Sequence, residues 1–82
     1  MEKRLGFVGI ILEDRQKSAG AVNKVLSDFG ESIIARVGLP HIRGHHAVIT
    51  LIVDATTDDI GALTGRLGGI PGISVKSACS KV

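Results

Sequence analysis

The sequence has 82 residues, a formal net charge of +2, one cysteine and two aromatic residues, both phenylalanine. A chain of this length makes one domain and buries only about 60–65% of the surface that it exposes when unfolded. Small chains often compensate with disulfides, a structural metal or oligomerisation, and the lone Cys79 excludes the first of these within the chain.

Charges of both signs are interleaved, as in Glu2-Lys3-Arg4 and Glu13-Asp14-Arg15-Gln16-Lys17, and Trp and Tyr are absent. Neither the single-sign stripe nor the stacking platform of a nucleic-acid binder is therefore present, and direct nucleic-acid binding is not expected. Lys3-Arg4 and the following apolar run resemble a signal peptide only superficially. That run is short, contains two glycines and ends in charge rather than at a small-residue cleavage site. No run nears the ~20 residues that span a bilayer. Together with the single cysteine, this makes a reducing, cytoplasmic setting the expected one.

Residues 5–12 form a continuous apolar run of strand length, apolar at both odd and even positions. A strand of that kind belongs in the centre of a sheet with both sides covered. The period then changes. From Asp14 or Ser18 onward, Ala19, Val22, Val25, Leu26 and Phe29 fall on one helical stripe, and Gly30 stands where a left-handed helix cap is expected. Ile33, Ala35 and Val37 alternate with Ile34 and Arg36, and Pro40 is expected to end this strand. Residues 47–53 repeat the doubly apolar pattern with the single exception of Thr50.

Thr56 and Asp59 have capping-box spacing, and acids suit the positive end of the helix dipole. Ile60, Leu63 and Leu67 make the buried stripe, and Gly68-Gly69 ends the helix. Ile73, Val75, Ser77 and Cys79 then share one face of a more polar final strand.

The expected strands span about 5–13, 31–38, 46–54 and 72–80, and the expected helices about 15–29 and 57–69, in one domain covering 1–82. The order βαββαβ predicts an α+β, ferredoxin-like sandwich. Its four-stranded antiparallel sheet has the first and third strands central and two helices on one face. The other face keeps an apolar surface, and a patch of that kind marks an interaction site. A homo-oligomer, dimer or tetramer, is expected to cover it.

Few residues carry chemistry. Gly65, Gly68, Gly69 and Gly72 follow a helix rather than precede one, so they have the wrong polarity for a phosphate cradle. Gly61 and Gly65 lie one turn apart, which admits either close approach of a ligand or tight packing on the neighbouring helix. His41, His45 and His46 are candidate metal ligands. Pro40 and Gly44, however, forbid a helix that would align the first two, and adjacent His45 and His46 would point apart on a strand. Two copies of the loop could meet in a dimer.

Cys79 has no base near it in sequence and reads as a small hydrophobe. No nucleophile or acid–base set is visible, so an enzyme is not expected. Arg15 and Arg36 are the better polar candidates, since guanidinium groups grip carboxylates and phosphates. Arg36 on an edge strand serves equally well as a guard against aggregation.

Several segments carry a resemblance: Glu13-Asp14-Arg15, Val22-Asn23-Lys24-Val25-Leu26, and Ile34-Ala35-Arg36-Val37-Gly38-Leu39-Pro40. Ile60-Gly61-Ala62-Leu63-Thr64-Gly65-Arg66-Leu67-Gly68 with Gly72-Ile73-Ser74-Val75-Lys76 is the most specific block. Over residues 2–76 the chain resembles a family of short bacterial proteins named as regulators of the iron-only hydrogenase system. The resemblance implies an ACT-like fold, similar to the ligand-binding domain of the nickel-responsive regulator, and a homo-oligomer that senses a small effector. It places the effector site around Glu13, Asp14 and Arg15, where the first strand meets the first helix, and implies action through a protein partner in hydrogenase expression or maturation. The nickel regulator's cysteine ligand has no counterpart among residues 41–46, and its DNA-reading segment has none in this sequence. The alternatives are a metal-responsive protein using the three histidines and a purely structural dimerisation module. No cofactor is specified.

Overall fold

A computed structural model describes residues 2–81. The two ends of the expected domain, Met1 and Val82, lie outside the described residues. The chain runs β1 (Arg4–Leu12), α1 (Arg15–Asp28), a short 3-10 turn (Gly30–Ser32), β2 (Ile33–Ile42), β3 (His46–Ala55), α2 (Thr57–Gly68) and β4 (Ile73–Cys79). The sheet order is β2-β3-β1-β4, with every neighbouring pair antiparallel. The two doubly apolar runs are therefore the central strands, as an α+β ferredoxin-like sandwich requires.

Both helices start where side chains can satisfy their free N–H groups. The Gln16 amide donates to Asp14 Oδ1 at 3.1 Å, and the Asp59 amide donates to Thr56 Oγ1 at 3.1 Å. The left-handed cap expected at Gly30 does not form. Phe29 closes α1 at φ −107°, and the chain tightens directly into the 3-10 turn, which satisfies the last carbonyls by shorter-range bonds. At the end of α1, the hydrogen bond from Arg66, with lesser help from Lys24, holds the Asp28 carboxyl below its ordinary range. This contact ties α1 to α2 at 2.8 Å.

The core lies between the helices and one face of the sheet. Val8, Ile10 and Leu12 of β1 and Ala47, Ile49, Leu51, Val53 and Ala55 of β3 meet Val22, Val25 and Leu26 of α1 and Ile60, Leu63 and Leu67 of α2. Ser18 is the one buried polar residue in the described core, and its hydroxyl donates to the Pro71 carbonyl at 3.2 Å. The opposite face carries Leu5, Phe7 and Ile11 of β1, Ile52 of β3, and Val37 and Leu39 of β2, all exposed.

Strand β2 departs from expectation at its far end. It continues through Pro40 to Ile42, with an irregularity between Leu39 and Ile42. It is an edge strand, so the missing proline N–H removes no ladder bond that the sheet needs. The hairpin to β3 then turns on Arg43 (φ 50°) and Gly44 (φ 73°), a pair of positive angles suited to a tight hairpin.

Gly61 and Gly65 also differ from expectation. A Cβ on either would meet nothing within 4 Å, so neither tight helix packing nor a bound neighbour explains them. They cost α2 backbone entropy with no compensating contact. Replacing both with Ala should stabilise the fold by about 0.5–1 kcal/mol each, read as a higher urea midpoint at fixed protein concentration.

Candidate functional site

The segment leaving β1 separates the residues that sequence placed together. The Glu13 amide donates to the Gly72 carbonyl at 2.9 Å, while two residues later the Arg15 amide donates to the His45 carbonyl at 2.8 Å. The chain thus bonds the β4 side first and the β2–β3 turn next. Glu13 and Asp14 border a depression with Lys17, Ser18, Pro71 and Gly72, where Asp14 is occupied in capping α1.

Arg15 instead lines a cleft of about 240 Å³ between α1 and the β2–β3 hairpin, and Arg36 of β2 lines it too. Leu12, Ala19, Val22, Ala47 and Ile49 make its apolar wall, and Asn23 stands at the rim. Arg36 Nη2 donates to Asn23 Oδ1 at 2.9 Å, which orients the guanidinium. No Asp or Glu lines the cleft. Among the described residues the ion pairs are those of Asp28 with Lys24 and Arg66, so neither cleft arginine has an acidic partner. Both arginines border one apolar-walled cleft, Arg36 exposed and Arg15 half-buried, and guanidinium groups are forked donors of the kind that grip carboxylates and phosphates.

The three histidines are dispersed along the hairpin. His41 is in β2, His45 in the turn and His46 at the start of β3, with His46 Nδ1 3.2 Å from the Arg43 carbonyl oxygen. Among the described residues, no group of three or more His, Cys, Asp or Glu side chains is gathered as a metal site. Cys79, expected as a small hydrophobe, is exposed. Asn23 was missed as a site residue. Its position on α1, one residue after the buried Val22, put it beside the stripe, but nothing in the sequence tied it to β2.

No described helix is long and apolar enough to cross a membrane. The sheet order and the two helices on one face define a ferredoxin-like α+β domain, a fold that ACT domains share. The ACT domain of GTP pyrophosphokinase from Chlorobium tepidum superposes with a TM-score of 0.78 at 20% identity, covering 93% of this chain and 99% of that one. Residues 4–77 match the TM1266-like family, described as "Iron-only hydrogenase system regulator, putative", and the chain belongs to that family. Its similarity to the uncharacterized protein TM1266 from Thermotoga maritima is close: 42% identity and a TM-score of 0.91, covering 98% of this chain and 100% of that one. No curated protein matches the sequence.

Proposed function

We propose that this chain is a homo-oligomeric regulatory module that binds a small anionic effector in the Arg15–Arg36 cleft and signals to a protein partner. The family description supports a regulatory role in the iron-only hydrogenase system, and we assign that role to hydrogenase expression or maturation in the cytoplasm. The observation that carries the reading is the pair of guanidinium groups without acidic partners at one apolar cleft. Its size, below the about 300–1,000 Å³ of a drug-sized site, suits a compact carboxylate or phosphate monoester. Leu39 and Val48 also border the cleft. Leu39 belongs to the open sheet face as well, so a subunit covering that face would adjoin the bound anion.

Titration calorimetry with a panel of small carboxylates and phosphate monoesters tests the proposal. One of them should bind the full chain, and Arg15→Ala or Arg36→Ala should weaken it by about 1.5–3 kcal/mol, roughly ten- to a hundred-fold in Kd. Glu13→Ala should leave Kd within about two-fold, since Glu13 does not line the cleft. Undiminished binding by the double arginine variant, or no binding by any anion in the panel, would refute it.

A further inference from the structure

The open sheet face contains both a projection and a recess on the same strand. Leu5, Phe7, Gly9 and Ile11 alternate with Val8 and Ile10, which are fully buried under the helices, so Gly9 belongs to the open side. It pairs with Thr50 on β3 and Lys76 on β4, and a Cβ placed on it would meet only the Lys76 carbonyl, at 3.9 Å. Phe7, two residues earlier on the same face, is 53% exposed. A bare backbone patch therefore lies next to the largest side chain of the face, about 7 Å along the strand.

From this pairing we infer that the open face binds a second copy of the chain face to face, each Phe7 ring seated over the other copy's Gly9. A two-fold axis lying across β1 between the two residues satisfies both contacts at once, as the self-complementary surface of an isologous dimer must. The inference rests on the homo-oligomer of the proposed function and names its surface.

The extent of the face agrees with this occupant. Leu5, Phe7, Ile11, Val37, Leu39 and Ile52 are 42–66% exposed. Together they present on the order of 500 Å² of apolar surface, near the top of the range for the largest patch of a monomer. With Ala35, Val48, Thr50 and the stem of Lys76, the face approaches the roughly 800 Å² per partner of a standard interface. Thr50 and Lys76 flank Gly9 on the neighbouring strands and Asp54 stands toward the end of β3, so the polar groups lie beside the seat and at the rim, while Phe7, Ile11, Ile52, Val37 and Leu39 supply the apolar area.

Sedimentation equilibrium on the full chain at micromolar concentration, with circular dichroism as a control on folding, tests the inference. The native chain should dimerise, Phe7→Glu should be monomeric, and Gly9→Leu should weaken dimerisation at least ten-fold while folding normally. The sign of the Gly9 effect is decisive, because an unspecific apolar patch would gain from an added leucine. A dimer that Gly9→Leu strengthens or leaves unchanged overturns the seating of Phe7. A dimer indifferent to both variants overturns the face as the interface. A native chain that is monomeric overturns the inference together with the homo-oligomer. Anion binding by that monomer, lost on Arg15→Ala, would still uphold the cleft.

Discussion

Leu51→Ala should destabilise the protein by about 2–5 kcal/mol, the largest effect expected of any single substitution here. Leu51 lies on the central strand β3, is fully buried, and faces the helix layer between Val8 on β1 and Arg36 on β2. Truncation removes its transfer free energy and leaves a cavity that central strands, bonded on both sides, cannot close. Small domains hold only about 5–15 kcal/mol in total, so the loss should move the urea midpoint far toward zero denaturant. Ile52, the next residue, supplies the internal control. It points to the open face and is 42% exposed, so Ile52→Ala should alter protomer packing little. A loss of equal size in the two variants, measured at protein concentrations low enough to dissociate any oligomer, would contradict the assignment of the faces.

Gly6→Val should be the second large effect, at about 1–3 kcal/mol. A Cβ on Gly6 would lie 2.7 Å from the Ala78 carbonyl oxygen and 3.1 Å from Cys79 Cβ. The closest atom is backbone and cannot rotate aside, so β1 and β4 must part at that point. Hydrogen exchange should show the consequence locally, with the amides of β4 losing protection before those of β3. Gly9→Ala on the same strand makes only ordinary contact with its neighbours and should leave the protomer's exchange pattern unchanged. Comparable loss of β4 protection in both variants would show that close approach is not what distinguishes Gly6.

Much of the architecture was legible because it depends on local pattern. Residues 5–12 and, apart from Thr50, residues 47–53 are apolar at both parities, the pattern of a central strand. The α2 stripe of Ile60, Leu63 and Leu67 is buried as its spacing predicts. Local pattern misled at Pro40, because a missing N–H breaks a central strand but is tolerated at an edge. It misled again at Gly61 and Gly65, where spacing suggests a packed surface and the helix face is open. The site was half legible. Arg15 and Arg36 were identified by their chemistry. Their meeting at one cleft depends on α1 crossing toward the β2–β3 hairpin, and the parting of Glu13 from Arg15 depends on a pair of backbone hydrogen bonds to opposite sides of the sheet.

By itself, the sequence determined the elements, their order and the presence of more apolar sheet surface than two helices can cover. These follow from hydrophobic periodicity, which is a property of neighbours along the chain. The tertiary structure alone decided which parity lies under the helices. Leu5, Phe7 and Ile11 are as apolar as Val8, Ile10 and Leu12, so hydrophobicity cannot choose between them. The choice belongs to the handedness with which each helix crosses back over the sheet, and it leaves Phe7 and Gly9 facing outward.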